Sequence, residues 1–284
     1  MVAIEKKTQT SLHHRSNSFP SAAHPFLSQF EEHLQKLRGS ESTSSSSSSS
    51  VSHKFSEIQD LHDCIDKLLQ LPLEQQALVR QCDDKWVDDL LEGSLRLLDI
   101  CTTAKDFLLK SKESLSDLKS FIRRKKGSEN GFAVECVTYL VMRKKTKKQI
   151  QKTLKSLKHK NNNTSSTLSF LDEAETITLS SLEHLLMFIS GQKGHSKPSR
   201  WSAISNLMKP KREVCDSQES NTNEFQKVDA ALQSLVSHKL SSIENFHSDM
   251  ENLELCIHDL EIGVDHLSRK LIRNRVSLLN IFNH

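Results

Sequence analysis

The sequence predicts an all-α protein, an elongated antiparallel helical bundle with a long heptad-patterned C-terminal helix, and three observations carry that expectation. Only 7 Gly and 5 Pro occur in 284 residues, too few for the tight turns of a β-sandwich, a doubly wound sheet or a phosphate-cradling loop. Apolar residues recur every three or four positions along most of the chain, which places them on one face of a helix. From Ile243 onward that spacing sharpens into heptads. With Ile243 at position a, the a and d positions are apolar in eleven of twelve cases through Ile281, the exception being Asn274. A content of 36% hydrophobic and 26% charged residues allows a substantial core.

Residues 1–24 read as a flexible tail, and residues 25–284 as a single helical domain interrupted by loops at 39–51, 161–166 and 191–222. Pro25 suits the first turn of a helix, where its missing N–H costs nothing. Phe26, Phe30, Leu34 and Leu37 then share a face, and Gly39 is expected to end the helix. The serine run that follows cannot bury enough apolar surface to offset its ordering entropy. Ser52 is the expected N-cap of the next helix, whose stripe is Phe55, Ile58, Leu61, Ile65 and Leu68, and Pro72 breaks it.

Trp86, Leu90, Leu97, Cys101, Ala104, Leu108, Leu115, Leu118 and Ile122 keep a helical period over about ten turns, interrupted mildly by Gly93. The RRKKG run ending at Gly127 has the cations and glycine of a C-terminus. Further helices are expected over 129–160 and 167–190, with a short turn around Trp201 to Met208 inside the polar connection. In a parallel homodimer the final helix would pair Asp249 with Glu254 and Lys270 with Arg275, and both pairs repel. Position f also carries Leu255, Ile262 and Val276, a face wider than a two-stranded seam needs. Burial in an intramolecular bundle is therefore preferred. An antiparallel dimer escapes the charge objection and keeps the oligomeric state open.

The net charge of +3 conceals strong asymmetry, because residues 119–160 hold 14 Lys/Arg against Glu129 and Glu135. Within Arg143 to Lys160 there are nine Lys/Arg and no acid. A basic surface of Arg143, Lys144, Lys145, Lys147, Lys148, Lys152, Lys155 and Lys158 could meet an anionic membrane, a helix-recognising partner or a nucleic-acid backbone. It could equally be a solvated face, or one complemented by the acids of 224–265. Nucleic acid ranks last, since one Tyr, two Trp and no recognisable finger or RNA-binding signature leave only unspecific electrostatics.

The tail holds a second candidate. Arg15, Ser16, Asn17, Ser18, Phe19 and Pro20 fit R-S-x-S-x-P, which resembles the mode-one ligand of 14-3-3 proteins once Ser18 is phosphorylated. Phosphate adds nearly two negative charges and three acceptors for an arginine cluster, Arg15 can attract a basophilic kinase, and Pro20 would turn the bound chain out of the groove. A chance match in a serine-rich tail is the competing reading.

No catalytic, cofactor-binding or metal-ligating residues are expected. The chain lacks G-x-S-x-G, a Walker A loop, G-x-G-x-x-G and H-E-x-x-H, and its His and Cys residues lack the paired spacings of structural zinc sites. Six separate cysteines with no C-x-x-C pair suit a reducing compartment, and no apolar run approaches the roughly 18 residues of a membrane span. The expected location is the cytoplasm, with the nucleus or a membrane surface as alternatives.

RSNSFPSAAHP from Arg15, KPSRWSAISNLM from Lys197 and NEFQKVDAALQSL from Asn223 together resemble the plant Bypass-related family, over nearly the whole chain from about Arg15. The resemblance implies a plant source, a helical fold and an association with root and shoot development, with no accepted biochemical activity and no catalytic residues to carry over. Arg15 and Ser18 match the family's leading motif by position, whereas the serine run and the NNNT segment look like local embellishments. Together these readings point to a non-enzymatic helical adaptor or regulatory protein, controlled through Ser18 and 14-3-3 binding, or alternatively to a peripheral membrane protein docking through 143–160.

Overall fold

The computed structural model describes residues 25–41, 47–81, 83–124, 129–160, 170–191, 222–236 and 243–283. These residues form eight helices and no strand: α1 (Pro25–Glu41), α2 (Ser48–Leu69), α3 (Pro72–Gln81), α4 (Asp84–Arg124), α5 (Glu129–Lys160), α6 (Phe170–Ser190), α7 (Glu224–Val236) and α8 (Ile243–Phe282). The all-helical expectation is met.

Local chemistry sets the boundaries. Helix α1 runs past Gly39 to Glu41, since a single glycine costs a helix only about 1 kcal/mol. Helix α2 starts earlier than expected: Ser47, not Ser52, is the N-cap, and its hydroxyl accepts from Ser50 N at 3.4 Å. The end of the serine run becomes helical because it has neighbours, with Ser48 Oγ donating to Glu224 Oε1 at 2.9 Å and Val51 packed on the core. Pro72 opens α3, and Asp83 caps α4 by accepting from Trp86 N at 2.8 Å. Of the expected 167–190 helix, 170–190 is seen and 167–169 lie outside the described residues. So does the expected turn at Trp201 to Met208. Helix α7 occupies a stretch that the sequence expectation leaves unassigned.

Helices α4 and α8, 41 and 40 residues long, each extend about 60 Å and lie side by side. They run antiparallel, because Trp86 meets Phe282 at one end, Lys105 binds Asp265 at 2.6 Å in the middle, and Lys119 pairs with Glu254 toward the other end. Lys112 adds a bond to Glu261 at 2.6 Å, so the three lysines form a ladder at seven-residue spacing. Helix α2 lies along the other flank of α8 and runs parallel to it, from Phe55 beside Gly263 to Asp66 beside Arg273. Against α6, α2 is antiparallel, with Lys54 near His184 and His62 near Thr178.

Three of the four charges that repel in a homodimer find partners inside this chain. Glu254 pairs with Lys119, Lys270 with Asp63, and Arg275 donates to the Leu91 carbonyl and, at 2.6 Å, to Ser94 Oγ. On α8, Phe246, Met250, Leu253, Ile257, Leu260, Val264, Leu267, Leu271 and Leu278 are buried. Each such side chain contributes about 1.5–3 kcal/mol by leaving water. The wider face does not lie where the sequence suggested. Leu255, Ile262 and Val276 are exposed, whereas burial extends to Cys256 and to Gly263 against Phe55, because the neighbours sit on that flank of the seam.

Helix α6 is innermost, enclosed by α2, α4, α5 and α7, so apolar residues cover most of its circumference. Against it, Gly93 of α4 leaves room for Glu175, whose carboxylate occupies the space a Cβ would fill and accepts from Arg96 at 2.6 Å. Burial raises the Glu175 pKa and Arg96 opposes the rise.

Asn274, the one polar d position, completes a buried polar chain. Its Nδ2 donates to His62 Nδ1 at 2.9 Å, and His62 Nε2 lies 2.9 Å from Thr178 Oγ1. With Nδ1 accepting, the ring is neutral and carries its proton on Nε2. Burial depresses the His62 pKa to about 4. An unfolded chain takes up that proton near pH 6.5, so stability is full above this value and declines as pH falls toward 4. The loss from this group reaches about 3 kcal/mol. Urea melts of the native chain and His62→Gln between pH 7 and 4 should show a steeper decline in the native chain; parallel pH profiles would refute the assignment.

Candidate functional site

Helix α5 has two faces with different tasks. One face, Cys136, Tyr139, Arg143, Thr146, Ile150, Leu154 and Leu157, is turned into the bundle at spacings of three and four. Burial pushes the Cys136 thiol up to about 11, so it stays protonated near neutral pH. The described thiols Cys64, Cys101, Cys136 and Cys256 are all unbridged and buried.

Arg143 is the polar centre of this inner face and is only 3% exposed. Its Nε donates to Asp229 Oδ1 at 3.1 Å and its Nη2 to Asp229 Oδ2 at 3.3 Å, a forked pair across to α7. Nη2 also donates to the Ile189 carbonyl at 2.9 Å, while the guanidinium lies 4.7 Å from the centre of the Phe225 ring. Lys147, one turn on, reaches Asp229 Oδ2 at 2.8 Å. One carboxylate thus answers two cations.

The same place closes the C-terminus of α6, whose last carbonyls have no partner within the helix. Ile189 O is taken by Arg143, Phe188 O accepts from Asn223 Nδ2 at 2.8 Å, and Gly191 O accepts from Gln226 Nε2 at 2.6 Å. Gly191 adopts φ 69°, a left-handed conformation that glycine reaches without a Cβ penalty. Asn223 and Gln226 also cap α7 reciprocally: Gln226 N donates to Asn223 Oδ1 at 2.9 Å and Asn223 N to Gln226 Oε1 at 3.0 Å.

The expected basic surface therefore divides. Arg143 does not belong to it, being buried against Asp229 and Phe225, and Lys147 is half turned inward. Lys144, Lys145, Lys148, Lys152 and Lys155 are exposed, and the Lys158 side chain lies outside the described residues. Arg15, Ser16, Ser18 and Pro20 also lie outside them. Sequence reasoning missed Asn223, Phe225, Gln226 and Asp229 as one constellation, although N-x-x-Q at a helix start is a legible cap. It also missed that Val134, Val137 and Val141 stand exposed on α5 ahead of the lysines. Among the described residues no three His, Cys, Asp or Glu side chains gather as a metal site would require, and no helix is long and apolar enough to cross a membrane.

Replacing Asp229 by Ala should cost about 3–5 kcal/mol, because it strands the Arg143 charge in the interior. The double replacement Arg143→Met with Asp229→Leu should recover most of that loss in urea melts. A single Asp229→Ala as stable as the native chain would contradict the buried pairing.

No curated protein and no solved structure matches the chain. The family model described as Protein BPS1 matches residues 54–281, a span that takes in most of α2, the whole Arg143 junction and nearly all of α8. The chain belongs to this plant family, the Bypass-related proteins.

Proposed function

We propose that the protein is a non-enzymatic helical adaptor in plant root and shoot development, cytoplasmic, whose leading segment is switched by phosphorylation of Ser18. The observation that carries the reading is R-S-N-S-F-P at Arg15 to Pro20, five residues ahead of Pro25, where α1 begins. A phosphate on Ser18 supplies the charge-assisted acceptors that a 14-3-3 arginine cluster reads, with Arg15 directing a basophilic kinase to the site. Family membership supports the developmental setting. The bundle supports the adaptor role in a different way, because ionisable groups turned toward its interior are used as cross-ties between helices: Arg143 with Asp229, half-buried Arg96 with Glu175, and His62 with Thr178 and Asn274. Such a scaffold presents surfaces and segments without spending them on chemistry.

A synthetic peptide spanning Arg15 to Pro25 with phosphate on Ser18 should bind 14-3-3, and the full chain should do so only after phosphorylation. Arg15→Ala should mainly slow phosphorylation, while Pro20→Ala should weaken binding about tenfold, a loss of about 1.4 kcal/mol. A phosphopeptide with no measurable affinity would remove the proposal.

A further inference from the structure

We propose that the outward face of α5 docks on an anionic lipid bilayer, with Val134, Val137 and Val141 entering the headgroup boundary and Lys144, Lys145, Lys148, Lys152 and Lys155 lying over the lipid phosphates. The inference stands apart from the Ser18 reading and uses none of its residues.

The geometry is that of a single stripe. Stepping about 100° per residue puts these eight side chains within a sector of about 100°, on the side of the helix away from Cys136, Tyr139, Ile150 and Leu157. From Val134 to Lys155 the stripe extends about 30 Å, apolar over its first two turns and cationic over the rest. The valines are 65%, 45% and 59% exposed. Helix stability does not account for them, since valine is among the weaker helix formers. The lysines differ from those of α4 as well. Lys105, Lys112 and Lys119 each hold an acid of α8, whereas none of the five on α5 is paired with an acid among the described residues.

Charge complementarity selects the occupant. A straight row of short valines and flexible ammonium groups fits a plane of mobile anionic headgroups, where lysine stems can lie on apolar surface while their charges remain in water. A second copy fits poorly: two such helices laid antiparallel put valines against lysines, and laid parallel they put lysines against lysines. A nucleic-acid backbone would use the cations and leave the valines without a role.

The test uses the full chain with sedimented vesicles of phosphatidylcholine alone or with about 30% phosphatidylserine, in about 0.1 M and 0.5 M salt. Retention should be at least about tenfold greater on the anionic vesicles at the lower salt. Replacing all five lysines by Gln should abolish that preference, replacing them by Arg should keep it, and Lys85→Gln with Lys227→Gln should leave it unchanged. Val134→Ser, Val137→Ser and Val141→Ser together should keep the preference for anionic lipid but lose the retention that survives high salt. Circular dichroism and urea midpoints matching the native chain establish that the variants fold. Equal retention on both vesicle types, or an unaltered five-Gln variant, overturns the proposal. So does a dimer in sedimentation equilibrium that the valine variant abolishes, which would assign the face to a second copy, or binding to a duplex oligonucleotide without binding to vesicles.

Discussion

The constraint on which the rest of this bundle depends is a buried charge. Arg143 carries its guanidinium into the interior and Asp229 is enclosed beside it, so the interior of the molecule must answer both at once. Removing such groups from water costs several kcal/mol for each ion, and only close geometry offsets it. Here Arg143 of α5 finds the fork to Asp229 and the Phe225 ring on α7 and the Ile189 carbonyl on α6, so three helices meet at one guanidinium. Displacing α5, α6 or α7 by one turn would leave the guanidinium among apolar side chains. The pair therefore fixes register more than it adds stability, a task the surrounding leucines cannot perform, since apolar contacts tolerate sliding.

This gives physical content to one of the segments through which the chain resembles its family. In NEFQKVDAALQSL, Asn223 and Gln226 cap α7 while holding the end of α6, Phe225 lies beneath Arg143 and edge-on to Phe188 at 5.9 Å, and Asp229 is the counter-ion. Four of its first seven residues converge on one junction. Val228 and Leu232 then supply the apolar side of the same helix. The opening segment RSNSFPSAAHP lies, ahead of Pro25, outside the described residues.

The fold class was legible because periodicity and the scarcity of glycine and proline are local signals, and each long helix had enough turns to state its own face. Which neighbours would cover that face was not. Leu255, Ile262 and Val276 look like an extension of the seam until the flanks of α8 are filled by α2, α4 and α7, none of which reaches them. Ser47 was hidden in a run of identical residues, any of which makes a good cap. The basic run concealed its own division for a similar reason, since a string of cations reads alike whether or not one of them turns inward. A clue was present: Arg143 is the one arginine in a stretch otherwise basic through lysine, at the spacing of Tyr139, Thr146 and Ile150, and guanidinium is the cation suited to forked, desolvated pairing.

The closure of α6 has a consequence for how this architecture tolerates change. Gly191 and Gln226 are hydrogen-bonded to each other, so the chain leaves the bundle and re-enters it at adjoining points. The two ends of the connection are thereby held at one place, with Asn223 and Gln226 at the start of α7 bound to the carbonyls at the end of α6. A change at the junction itself, such as loss of the Asn223 or Gln226 side chain, would therefore loosen the end of α6 and the start of α7 together.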